Sequence, residues 1–395
     1  MKSLVQVKMS RADRQVLLLE LLIFLYPGVA VILRPSEVSA SYGHYPGAFC
    51  KITNVVLDGS SQSFLINIGG NDVINTYKKT CSITDLVWDV QAFDGQIDDI
   101  SCTETYDVGY VFTMYFYGGN SNYFHLHWDM MLPLFSVMYH DISKTGRKTT
   151  LLMPSVESSR LKKINWETPA FQNENKYWMQ LMQLLTGDYN MKPLQKDFVK
   201  KETKICFKEI YLGTPRYDWN DKYLVLNYVN YMRTMLHVTT PTKPRKVGLI
   251  SRANRRRILN EKELVKSVKD ITKLDLIEFG GKTVQEQLQL VQNYAVLIGM
   301  NGAGLMNGIF LPEGSVAVQL VPYNASLNFK QFGEILKARG GYLEWHNSHK
   351  ELTVEAPRDV YRANSDTTVE TKEFRKLVID AMKLANIYKH PKTEL

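Results

Sequence analysis

Several things are scarce in this chain, and each scarcity narrows the reading. Cysteine is one: Cys50, Cys81, Cys102 and Cys206 are the only four in 395 residues. None forms a CxxC pair, which removes the common structural zinc frameworks. No internal repeat or low-complexity tract appears, so the chain reads as ordinary globular sequence. After Arg34 no apolar run reaches spanning length, which excludes a polytopic membrane protein. The net charge of +8 is mostly dispersed, and the one dense basic run is Arg252 to Arg257. No basic patch carries aromatics placed to stack on bases, so nucleic acid is not the expected ligand.

What is present fits a folded protein of two domains. Hydrophobic residues make up 45% and aromatics 11%, with 22 tyrosines, which argues against disorder. The length accommodates two α/β domains of ~100–200 residues each. At the N-terminus, Lys2, Lys8, Arg11 and Arg14 precede an apolar stretch from Val16 to Leu33, closed by Arg34. Its length is at the short end of the ~17–25 residues a span needs, and Glu20 and Pro27 interrupt it. Residues 1–34 are expected to be a cytoplasmic tail and signal-anchor, by the positive-inside rule. A cleaved signal peptide is the alternative, because Ser39, Ala40 and Ser41 follow. The expected address is a Golgi or endoplasmic reticulum membrane, single-pass type II, with the remainder lumenal. An even cysteine count there allows up to two disulfides, all between residues 50 and 206. Asn324-Ala-Ser326 is one glycosylation sequon.

Residues 35–48 read as a stem. From 49 to 240 the pattern predicts strands at 52–57, 63–68, 86–90, 108–117, 149–153 and 205–212, with helices at 123–139, 177–185 and 221–237. Pro241 and Pro244 mark a break. From 245 to 350 strands alternate with helices: strands at 246–251, 274–279, 295–299, 315–321 and 342–345, helices at 260–269, 283–293, 303–310 and 329–339. That alternation predicts a parallel sheet covered on both faces. A last helix is expected within 366–390.

Three segments carry chemistry. In the first, an apolar strand from Ala295 runs into Asn301-Gly302-Ala303-Gly304-Leu305 and then a helix. Glycine lets backbone approach a ligand, and a helix N-terminus offers N–H donors with partial positive charge. The pattern is not a dinucleotide fingerprint, since the third glycine is missing. The second segment is Ser251-Arg252-Ala-Asn-Arg255-Arg256-Arg257, leading to Asn260 and Glu261. It follows the domain's first strand, on the edge where open α/β sheets bind ligands. Guanidinium forks suit phosphate oxygens. The third runs from Gly118 to Phe135. As a helix it places Asn122, His125 and Asp129 on one face, fit for a general base. As a strand it aligns His125, His127 and Asp129, fit for a metal. Both readings stay open on the residues alone.

Together these segments resemble the glycosyltransferase 61 family, in order from Cys50 to Trp345. The resemblance rests on five pieces: Cys50 to Asn54; Asn122, His125 and Asp129 with Leu132-Pro-Leu-Phe135; Ser251-Arg252, Arg256 and Asn260-Glu261; Val284 with Glu286-Gln287; and Gly302-Ala-Gly304-Leu305 with Phe310-Leu-Pro312. Asn301 departs from the family, which carries a histidine there. The resemblance implies a GT-B-like α/β fold, two Rossmann-like domains facing across a cleft. It implies inverting transfer from a UDP-sugar without an obligatory metal, to a protein-linked or glycan hydroxyl. N-acetylglucosamine is the preferred sugar and a pentose such as xylose the next. Asp129 or His125 would be the base. Ser251, Arg252, Arg256, Asn260, Glu286, Asn301, Gly302, Ala303, Gly304 and Leu305 would bind the donor. Two rivals remain: a lumenal metallohydrolase using His125, His127 and Asp129, and a non-catalytic relative, suggested by Asn301.

Overall fold

The computed structural model of the chain describes residues 38–40, 49–67, 75, 89–93, 100–112, 123–142, 147–154, 181–182, 184–185, 190–194, 199–213, 222–325, 329–337, 340–355 and 364–388. Two sheet-containing α/β units make up these residues, consistent with a GT-B-like fold.

The N-terminal unit is built on eight strands: β1 (Val38–Ala40), β2 (Phe49–Asp58), β3 (Ser63–Ile66), β4 (Asp89–Ala92), β5 (Glu104–Phe112), β6 (Thr149–Pro154), β7 (Asn190–Leu194) and β8 (Lys204–Gly213). Their order is β4-β3-β2-β8-β5-β6-β7, with β1 antiparallel to β2. The sheet is mixed. Strands β8, β5, β6 and β7 run parallel, whereas β2 is antiparallel to both β8 and β3. Strand β7 carries Pro193 and lies at the sheet edge, where a missing N–H donor is tolerated. Cys102 and Cys206 form a disulfide that ties the entry of β5 to β8. Cys50 is also disulfide-bonded.

The predicted helix over 123–139 is three pieces in one run: α1 (Tyr123–His125), a π segment (Leu126–Met131) and α2 (Leu132–Ile142). Pro133 lies just past the π segment, whose wider turn interrupts the regular α ladder there, and it does not end the run. Helix α3 (Lys222–Met235) follows β8 and packs against α2.

The C-terminal unit follows the expected alternation closely. Its strands are β9 (Lys246–Ile250), β10 (Leu274–Ile277), β11 (Tyr294–Met300), β12 (Val316–Val321) and β13 (Gly341–His346). Between them lie α4 (Glu261–Ser267), α5 (Val284–Val291), a 3-10 helix (Ala303–Phe310) and α6 (Phe329–Lys337). All strands are parallel, in the order β10-β9-β11-β12-β13. Every residue of β11 and β12 is buried, as burial on both faces requires. The period-2 alternation divides them: Val296, Ile298 and Met300 face one apolar cluster, and Leu297 faces another. The first cluster is closed by α7 (Thr371–Leu384), whose Phe374, Val378, Ala381 and Met382 form one helical stripe. A short hairpin-like pair, β14 (Thr353–Val354) with β15 (Asp366–Thr367), precedes α7. The second cluster is continuous with the N-terminal unit: Leu297, Leu305, Phe310 and Leu336 pack with Trp128, Phe135 and Tyr228. The two units share an apolar core.

The membrane expectations are corrected. No helix among the described residues is long and apolar enough to cross a membrane. This overturns the transmembrane helix in the fold reading, the signal-anchor, the membrane as partner, and the Golgi or endoplasmic reticulum type II address. The segment Val16 to Leu33 that suggested them lies outside the described residues.

Candidate functional site

Numbered within its own unit, the C-terminal sheet reads 2-1-3-4-5. The chain leaves β9 toward one side of the sheet and leaves β11 toward the other, so these neighbours form the topological switch point. Ligands of open α/β sheets bind outside the carboxyl ends of the strands at that point. The loops that emerge there are 251–260 after β9 and 301–302 after β11, which are the two segments singled out as phosphate-binding.

They meet. A Cβ placed on Gly302 would lie 2.5 Å from Nη1 of Arg252 and 2.9 Å from Nη1 of Arg256. Only a glycine lets both guanidinium groups close onto the backbone here. Arg256 Nη1 donates to the carbonyl of Asn301 at 3.0 Å, and Arg252 Nε donates to the carbonyl of Arg255 at 3.0 Å. Burial, and then the charge of Arg255, push Arg252 below the usual arginine value. No carboxylate pairs with Arg252 among the described residues. The guanidinium groups of Arg252 and Arg256 share one small, partly dry volume beside Gly302, where guanidinium forks suit the oxygens of an anion. Arg256 adopts a left-handed backbone conformation, with φ 57°. A non-glycine residue pays for that conformation, and such residues cluster at ligand sites.

Past Gly302 the first intrahelical bond runs from Leu305 N–H to the Gly302 carbonyl at 3.0 Å. The N–H groups of Ala303 and Gly304 precede it and are the donors a helix start presents. Both residues are half-buried, whereas Leu305 is core. Asn301 is buried, with Nδ2 donating to Oε1 of Gln319 at 3.2 Å. Ser251 donates to Glu261 at 2.9 Å. Burial raises the Glu261 carboxyl, Ser251 opposes this, and the Glu278 charge adds to it.

Two expected donor-binding residues are occupied elsewhere. Asn260 clamps the backbone of Val369 in both directions, at 2.9 and 3.0 Å. Glu286 closes a capping box with Thr283 at the exposed start of α5. His125 and Asp129 sit on α1 and the π segment, and their side chains lie outside the described residues, as does Asn122.

A family model described as Glycosyltransferase 61 matches residues 123–318. The chain carries a glycosyltransferase 61 domain. Protein O-linked-mannose beta-1,4-N-acetylglucosaminyltransferase 2 of Xenopus laevis is 24% identical over 221 residues, covering 48% of this chain and 37% of that protein. The protein of the same description from Mus musculus is 26% identical over 148 residues, covering 36% and 26%. The EGF domain-specific O-linked N-acetylglucosamine transferase of Gallus gallus is 33% identical over 100 residues, covering 24% and 18%. The matched part of the chain spans about a third of the length of these relatives, or less.

The matched range begins at Tyr123, and that residue links the two units. Its hydroxyl donates to Oδ1 of Asn307 at 3.0 Å, and Asn307 Nδ2 donates to Gln287 and to the Gly304 carbonyl. This buried relay fastens the start of the 123–142 run to the glycine turn. His127, one of the three residues of the metal reading, is buried within the seam. Its Nδ1 lies 2.6 Å from the Tyr228 hydroxyl, and the rings of Tyr123, Phe310 and Tyr228 surround it. Burial drives its pKa down to about 3. A histidine so enclosed is a packing residue, and no group of metal-ligating side chains occurs among the described residues.

The relay was not anticipated, because a hydrogen bond between residues 184 apart leaves no local signal. Neither were Asn364 and Asp366, which lie beyond the matched range and contact Arg256 and Arg257.

Proposed function

We propose that this protein is an inverting glycosyltransferase that moves a sugar from a UDP-sugar to a protein-linked or glycan hydroxyl. N-acetylglucosamine is the preferred sugar, in keeping with the descriptions of the relatives, and a pentose such as xylose is next. The observation that carries the reading is the convergence of Arg252 and Arg256 on Gly302 at the switch point of the parallel sheet.

The reaction follows from that placement. Asp129 or His125, on the helical run from the N-terminal unit, takes the proton of the acceptor hydroxyl. The oxygen attacks the anomeric carbon as the bond from that carbon to the diphosphate oxygen breaks. UDP departs with the bonding pair, and its added negative charge falls between the guanidinium groups and the N–H donors of Ala303 and Gly304. Fixed cations aimed at charge that develops in the transition state accelerate the step. Asn301, held by Gln319, can donate a hydrogen bond but cannot act as an acid, so proton delivery to the leaving group is assigned no residue here.

UDP should raise the melting temperature of the protein. Arg256→Ala should weaken UDP binding about 100-fold, the loss of a charge-assisted contact of roughly 3 kcal/mol. Calorimetric titration with UDP decides it: equal affinity of the wild type and Arg256→Ala would remove the diphosphate grip.

A further inference from the structure

Arg256 is the most constrained residue of the candidate site, and the constraint comes from a segment 108 residues away. Oδ1 of Asn364 accepts from Nε and Nη2 of Arg256, at 3.3 and 3.1 Å. The backbone carbonyl of Asn364 accepts from the Arg256 N–H at 3.4 Å. One residue therefore holds both the strained backbone and one edge of the guanidinium. The other edge, through Nη1, rests on the Asn301 carbonyl and faces Gly302.

The surrounding chain makes Asn364 a fixed point. Asp366 accepts from the N–H of Arg257 at 2.8 Å and from its guanidinium at 2.8 and 2.6 Å. Thr367 N–H donates to the Arg257 carbonyl, and Leu259 N–H donates to the Thr367 carbonyl, each at 2.9 Å. Val369 is pinned by Asn260. Residues 364–369 thus zip along 256–260, and α7 anchors the far end through Phe374 in the core and Arg375 on Asp270. Residues 364–384, which supply this second strip, lie beyond residues 123–318, the range matched by the family model.

We propose that Asn364 is a positioning residue: it locks Arg256 in its left-handed conformation with the guanidinium against Gly302, in the pose that receives the diphosphate. A planar cation held at a neutral amide oxygen keeps its full charge, whereas a carboxylate at the same place would neutralise it. The strip sets the carboxylate of Asp366 against Arg257 and the amide oxygen of Asn364 against Arg256. The proposal rests on the diphosphate reading above for its ligand, but its geometry can be tested apart from it.

The full chain is compared as wild type, Asn364→Ala, Arg256→Ala and the double variant, by calorimetric titration with UDP. Asn364→Ala should weaken binding about tenfold, with the ligand-free melting temperature little changed. In the Arg256→Ala background the same substitution should have no further effect, because Asn364 acts only through Arg256. Wild-type affinity in Asn364→Ala overturns the proposal, and so does an equal loss in both backgrounds, which would mark a general structural role. A second measurement needs no ligand. Arginine-selective labelling with phenylglyoxal, read by mass spectrometry, should modify Arg256 several-fold faster in Asn364→Ala than in wild type, while the exposed Arg255 is unchanged. An unaltered Arg256 rate overturns the positioning role. Failure of UDP to bind the wild type, with accelerated labelling in the variant, sinks the diphosphate reading and keeps the clamp.

Discussion

The five-stranded sheet runs parallel throughout, whereas the larger sheet turns from parallel to antiparallel between β8 and β2. The first gathers its chemistry at one edge, because parallel strands send every carboxyl end the same way and two oppositely directed crossovers open a gap there. The second carries a disulfide between the entry of β5 and β8. Its contribution is the helical run of residues 123–142, inserted into the seam by Tyr123, Trp128 and Phe135. In the proposed reaction one unit grips the diphosphate and the other delivers a helix. On that reading the anion site is local to one sheet, whereas transfer draws on both units across the seam.

That contrast can be broken at three points. The largest effect is expected from the disulfide. Removing Cys102–Cys206, which closes a loop of 104 residues, should cost about 4 kcal/mol in denaturant unfolding. Because the core runs through both units, amide exchange in β11 and β12 should rise together with that in β5 and β8. Unmoved protection in β11 and β12 would show the units to be energetically separate.

The second point is His127. Its folded pKa of about 3 lies below the unfolded value near 6.5. The folded state thus favours the neutral ring. The contribution is complete above pH 6.5 and is lost as pH falls from there toward 3, at about 1.4 kcal/mol per unit. Unfolding free energy should drop by about 2 kcal/mol between pH 7 and pH 5 from this group, and His127→Gln should flatten that part of the profile. An identical slope in the variant would place the acid sensitivity elsewhere.

The smallest effect sharpens the comparison most. Tyr123→Phe removes the hydroxyl on Asn307 and leaves the rings in place. Stability should fall by about 1 kcal/mol. UDP affinity should stay close to wild type, since the grip belongs to one sheet, while the transfer rate falls because the seam loosens. A parallel loss of UDP affinity would make the grip dependent on both units.

Much of the C-terminal unit was legible in order. Apolar runs such as Val296 to Met300 and Val316 to Val321 read as strands buried on both faces, and α5 beside them carries its own apolar stripe and capping box. The N-terminal sheet was harder. Strand β7 contains Pro193, which argues against a strand until its edge position is known, and the strand order depends on pairings such as that of β2 with β8 that no local pattern encodes. The histidines were ambiguous for a related reason. Period alone allowed His125, His127 and Asp129 to align on a strand, but the helical run turns His127 into the aromatic core. Asn260 and Glu286 were expected in the donor site by motif position; in the structure Asn260 bonds the backbone of Val369, and Glu286 closes a capping box with Thr283.

The residues that could bear charge, and the glycine that lets backbone come close, were written in the chain before any fold was known: Arg252, Arg256 and Gly302 announce themselves by type and spacing. Only the folded molecule brought them to one point, because the 2-1-3-4-5 order is a matter of which strands pair. Only it recruited Asn364, because hydrogen bonds across a hundred residues depend on where the chain returns, and that is a property of packing rather than of local sequence.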